Sequence, residues 1–81
     1  MNISNDATID LRLFASLARF MPPNASNYPI EPGTTVEQLM ARLPFDSSEA
    51  RLIFVDGVKK DLQTALNGGE RVGIFPPVGG G

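Results

Sequence analysis

The sequence predicts an α+β fold, a mixed sheet of four or five strands with one main helix packed on one face. Three observations lead there. Apolar residues alternate near both ends of the chain, at residues 7–14 and 71–75. A helical apolar stripe with a capping signal lies at residues 34–43. Residues 51–55 form a run that is apolar on both faces and closes on Asp56-Gly57.

Taken in order, Ala7, Ile9, Leu11 and Leu13 share one strand face, and Thr8, Asp10, Arg12 and Phe14 share the other. Phe14 therefore falls on the polar side at the strand's end, where it either folds under the next segment or stands exposed as a contact. Residues 15–21 give one or two helical turns, with Leu17, Phe20 and Met21 toward the core, and Pro22-Pro23 stops them. Residues 28–31 read as a short strand, and Pro29 assigns it to a sheet edge.

Pro32-Gly33 makes a turn, after which Thr34 and Glu37 have capping-box spacing. The main helix follows, with Val36, Leu39, Met40 and Leu43 in one stripe and Pro44 ending it. Residues 45–50 form a polar connection. Strand 51–55 leads through Asp56-Gly57 into an extended piece at 58–60, and residues 62–66 read as a single helical turn capped by Asn67-Gly68-Gly69. Gly68-Gly69 also suggests a phosphate loop, but no following Lys-Ser or Lys-Thr is present, so a turn is the reading. In the last strand Val72 and Ile74 face inward, and Arg71, Gly73 and Phe75 face outward.

The boundaries are a disordered N-terminus at 1–6, a domain at 7–76 and a flexible tail at 77–81. The tail begins with Pro77 and Val78 and ends in Gly79, Gly80 and Gly81. With glycine near 7% of average composition, three at one chosen place arise by chance in roughly 0.03% of cases. Pro76 and Pro77 favour an extended departure, and the glycines leave a thread slim enough for a narrow channel.

At 81 residues this is one domain with a thin core. The formal charge of −2 and seven scattered basic residues argue against nucleic acid. Residues 1–6 carry no positive charge and precede no apolar run, which argues against a signal peptide or membrane anchor and leaves a cytoplasmic location. With neither Cys nor His, no zinc site, thiol nucleophile or usual general base is expected, so the chain suits the role of reactant better than catalyst. If the first and last strands pair in parallel, Phe14 and Phe75 come together on the helix-free face, and Ile53 or Val55 could join them.

These residues resemble the MoaD/ThiS sulfur carriers, small proteins of the ubiquitin-like β-grasp fold. The resemblance runs from Leu11-Arg12-Leu13-Phe14-Ala15, through Thr34-Thr35-Val36-Glu37-Gln38-Leu39, to the stretch from Gly69 to Gly81 that includes Phe75-Pro76-Pro77-Val78. Arg51-Leu52-Ile53-Phe54 is similar to the third strand of ubiquitin. The resemblance implies that Gly81 is adenylated by an ATP-using, MoeB/ThiF-like activating enzyme and converted to a thiocarboxylate with sulfur from a persulfide donor. It further implies that Gly79 and Gly80 enter that enzyme's site and that Phe14 and Phe75 contact partners; Ile53, from the face reading, and Pro76, Pro77 and Val78, on the approach to the tail, are expected as further contacts.

No cofactor or metal would be bound by the chain itself, ATP being used by the activating enzyme. Phe75-Pro76-Pro77-Val78 looks closest to MoaD-type chains, which implies a small subunit of molybdopterin synthase beside a MoaE-like large subunit. The departures are Gly79, where relatives often have Ala, Ser or Thr, and Val55-Asp56, where MoaD-like chains often have Val-Asn. Three alternatives remain open on the residues alone: a ubiquitin-like modifier conjugated through Gly81, a carrier for thiamin thiazole or cysteine synthesis, or a β-grasp interaction module with an inert tail.

Overall fold

The computed structural model describes residues 7–50 and 52–77. Its main sheet has five strands in the order β2-β1-β7-β4-β5: β1 Ala7–Leu13, β2 Tyr28–Ile30, β4 Leu52–Val55, β5 Val58–Lys60 and β7 Arg71–Phe75. A second, two-stranded ladder joins β3 Thr34–Thr35 to β6 Ala65–Leu66, and one α-helix, α1, covers Val36–Met40. The first and last strands pair in parallel at the centre, Asp10 beside Arg71 and Leu13 beside Ile74, with antiparallel neighbours on either side.

Alternation in β1 and β7 sends Ile9, Leu11, Leu13, Val72 and Ile74 into the core, where Leu17, Val36 and Leu39 close over them, each nearly inaccessible. Burying a side chain of this size contributes about 1.5–3 kcal/mol, so these residues set the sheet's register. Pro29 lies at the sheet edge as its missing N–H requires, with its carbonyl accepting from Arg42 at 3.0 Å. The helical turns at Ala15–Phe20 are 3-10; they bury Leu17 as expected, but Met21, expected to face the core, follows the last turn and is exposed.

Three further expectations need correction. The main helix is one residue late and much shorter than its stripe. Thr34 is held in a turn and in β3, its hydroxyl donating to the Glu31 carbonyl, so Thr35 becomes the N-cap. The capping partner is then Gln38, which accepts from the Thr35 N–H at 2.9 Å while its own N–H donates to the Thr35 hydroxyl at 3.1 Å. Beyond Met40 the bonds tighten, Arg42 to Leu39 and Leu43 to Met40, because Pro44 disfavours the α conformation at Leu43. Leu43 is still buried, delivered from this tight turn.

Residues 62–66 are not a helical turn. The Asp61 carboxylate accepts from the Gln63 N–H and the Thr64 hydroxyl, which turns the chain outward. The carbonyls of Leu62 and Thr64 then take the N–H groups of Glu37 and Val36 at the start of α1, and Ala65–Leu66 runs on as β6. The third correction concerns residues 45–50, expected to be a polar connection: Phe45 is buried against Phe20. Residues 1–6 and Arg51 lie outside the described residues.

Candidate functional site

The helix-free face of the sheet is built by strand parity. Cross-strand register places Arg12, Gly73, Phe54 and Lys59 in one row across β1, β7, β4 and β5. One step nearer the end of β7, Leu52 pairs with Phe75. Phe14 follows β1 directly, its N–H donating to the Ile74 carbonyl at 3.1 Å. Its ring stacks on that of Phe75 with centroids 4.2 Å apart and planes 4° apart, and Phe54 meets Phe75 edge-on at 5.6 Å.

Gly73 is the floor of this cluster. A Cβ there would come 3.1 Å from Phe14 Cε2 and 3.7 Å from Phe75 Cε1, so the missing side chain lets Phe14 lie across β7. Ala15, immediately after Phe14, adopts φ 54°, a left-handed conformation that costs a residue with a Cβ about 1–2 kcal/mol. That bend takes the chain from β1 into the 3-10 helix. Phe14 remains 38% exposed, so the aromatic trio is open to solvent rather than folded under. A shallow depression of about 240 Å³ runs between these rings, Gly73, Arg12, Arg71 and Gly57.

Charge borders the rings on the side toward the start of β7. Arg12 Nε lies 2.9 Å and Arg12 Nη2 3.0 Å from the two oxygens of Asp10, and Arg71 Nε approaches the same carboxylate at 3.9 Å. The hydrogen bond from Arg12 holds the Asp10 carboxyl below its ordinary range and raises the Arg12 guanidinium above its own. The neighbouring Asp56, with φ 53° in the turn before Gly57, accepts the Arg71 N–H at 3.0 Å.

Of the expected contact residues, Phe14 and Phe75 are brought together on this face. Ile53 is not: it pairs with Ile74, faces the core and is 6% exposed, and Val55 is buried with it. The residue of β4 that joins the rings is Phe54, and strand parity against the inward Ile74 was the signal that distinguishes it. Pro76 is buried and Pro77 is exposed. Val78, Gly79, Gly80 and Gly81 lie outside the described residues. Gly73, Arg12 and Arg71 were not singled out as contacts by sequence, since only the parallel pairing of β1 with β7 assembles them.

A larger hollow of about 490 Å³ lies between β2 and α1, but its Gln38 is committed to the helix cap and its Arg42 to the Pro29 carbonyl and the Tyr28 ring. Among the described residues no three His, Cys, Asp or Glu side chains group to hold a metal ion, and no helix is long and apolar enough to cross a membrane.

A five-stranded mixed sheet with parallel terminal strands at its centre and a helix on one face is the ubiquitin-like β-grasp. Within that class the chain belongs to the ThiS family, whose profile matches residues 11–81.

Solved structures agree on the fold. The solution structure of the Haloferax volcanii HVO 2177 protein superposes with a TM-score of 0.68 at 21% identity, covering 100% of this chain and 92% of that one. The crystal structure of SAMP1 from Haloferax volcanii gives 0.66 at 22% identity, over 93% of this chain and 100% of the other. A second crystal structure, of the H. volcanii small archaeal modifier protein 1, gives 0.63 at 22% identity over 89% and 99%. No curated protein matches the chain by sequence.

Proposed function

We propose that this chain is a sulfur carrier whose Gly81 carboxylate is loaded as a thiocarboxylate while the aromatic face docks on the loading enzyme. The observation that carries the reading is continuity. The partly exposed Phe14–Phe75–Phe54 cluster includes the last residue of β7, and in sequence only Pro76 and Pro77 separate Phe75 from Val78-Gly79-Gly80-Gly81. A docked cluster therefore fixes where a short, side-chain-poor end can reach.

The chemistry needs little from the chain itself. An ionised carboxylate is a poor electrophile; attack of its oxygen on the α-phosphorus of ATP expels pyrophosphate and gives an acyl adenylate with AMP as leaving group. The terminal sulfur of a donor's persulfide then attacks the acyl carbon and AMP departs. A thiol cleaves the resulting acyl S–S bond, leaving the thiocarboxylate on Gly81 and a disulfide behind. A MoeB/ThiF-like enzyme would supply the adenylation. The Phe75-Pro76-Pro77-Val78 approach favours a MoaD-type role, giving sulfur to a pterin precursor beside a MoaE-like subunit of molybdopterin synthase.

A second reading is a protein modifier, in which a substrate lysine takes the place of sulfur at the activated carbonyl. It is favoured by the likeness to a structure named small archaeal modifier protein 1. Coexpression with the adenylating enzyme and a sulfur source separates them. The carrier gains the sulfur-for-oxygen mass difference, assigned to Gly81 by fragment mass spectrometry. A modifier accumulates as conjugates that survive a denaturing gel, and an unchanged carboxylate while ATP is consumed contradicts the carrier.

A further inference from the structure

We infer that the partner docking on the aromatic face presents carboxylates around its apolar contact, on the side toward the start of β7, and that Asp10 is an internal competitor for them. This rests on the docking reading above and specifies the partner's surface chemistry.

The chain is net −2, with nine acidic and seven basic residues, yet the sheet face bordering the rings is cationic. Arg12 and Lys59 end the row that holds Gly73 and Phe54, and Arg71 lies one row further back, at the start of β7. Against these three cations stand Asp10, shared by both arginines, and Asp56, which is turned to the Arg71 N–H. The stacked Phe14 and Phe75 lie at the C-terminal end of β7, Arg12 and Lys59 flank the Phe54 row one step back, and Arg71 lies behind that, so the face has a direction. A partner carrying apolar groups and carboxylates in the same order matches it in only one orientation, the one that points the C-terminal end of β7 toward its catalytic site.

Arg12 and Asp10 have side chains 49% and 29% exposed, so their ion pair can be exchanged at little cost for one with a partner. Asp10 itself faces the incoming acidic groups and repels them. Removing its charge should therefore strengthen docking, the opposite of what loss of an ordinary interface contact does.

The test measures ATP–pyrophosphate exchange by the MoeB/ThiF-type enzyme of the same source, with the full chain as variable substrate, at about 50 and about 300 mM salt. Arg12→Glu with Arg71→Glu should raise KM about tenfold or more at low salt with kcat little changed, and the gap should narrow at high salt. Lys59→Glu should shift KM the same way by less. Asp10→Asn should lower KM severalfold and steepen the salt dependence, with circular dichroism confirming each fold. KM values within twofold of wild type, or an Asp10→Asn variant that docks more weakly, overturn the inference while leaving the carrier reading intact. A wild-type chain that drives no exchange at either salt overturns the carrier reading and this inference with it.

Discussion

Phe14 and Phe75 lie ring on ring, centroids 4.2 Å apart, although one follows the first strand and the other closes the last. Parallel pairing of β1 with β7 produces this contact, and it occurs at the last residue of β7. Substituting Phe75 by Glu should weaken docking on the adenylating enzyme about tenfold to a hundredfold, as for a central aromatic anchor. Because the ring is only half-buried, the melting temperature should fall by a few degrees. Titration calorimetry and a thermal melt read both; a collapsed fold would instead assign Phe75 to the core.

Gly73 should be intolerant of side chains for a reason unrelated to backbone freedom. A valine there suits a central strand but intrudes where the Phe14 edge lies, 3.1 Å from a Cβ. Gly73→Val should remain folded, separate the two rings and lower docking about tenfold. The check is NMR: ring-current shifts of the Phe14 and Phe75 protons should move toward free values. Unchanged shifts would mean the rings do not depend on this gap.

Thr35→Ala should cost about 1 kcal/mol, seen as a drop of about 4–8 °C in melting temperature. Thr34→Ala should cost less, since its hydroxyl serves an exposed turn instead of the helix. Thermal denaturation of the two single variants decides which threonine caps the helix.

The pH dependence has a definite sign. Asp10 is held below its ordinary range chiefly by the hydrogen bond from Arg12. Its contribution is therefore complete above the unfolded-state value near about pH 3.9 and is lost as pH falls through the lower folded value. The melting-temperature difference between wild type and Asp10→Asn should be flat from about pH 5 to 9 and shrink below about pH 4. With no histidine in the chain, a change in that difference near neutrality would contradict the assignment.

Much of the fold could be read from residue order because alternation in β1 and β7 and the edge-strand Pro29 are local signals. What escaped depended on contacts between distant segments. Thr35 caps the helix because Thr34 is recruited by Leu66, and residues 62–66 leave the helical path to serve the helix start. In the site, Phe14 and Phe75 were legible from their strands' parity. Ile53 was misassigned because residues 51–55 are apolar on both faces, so only register against β7 tells Ile53 from Phe54. Arg12 and Arg71 looked scattered along the chain and share a face only through the parallel pairing.

The central claim is that the body docks while the end of the chain reacts, and deletion of Gly80 and Gly81 tests it most directly. Co-purification with the adenylating enzyme and sulfur incorporation are measured on the same truncated chain. Binding within a few-fold of wild type with no detectable thiocarboxylate is the predicted result. A truncated chain that still acquires and transfers sulfur, or one that no longer binds, would contradict it.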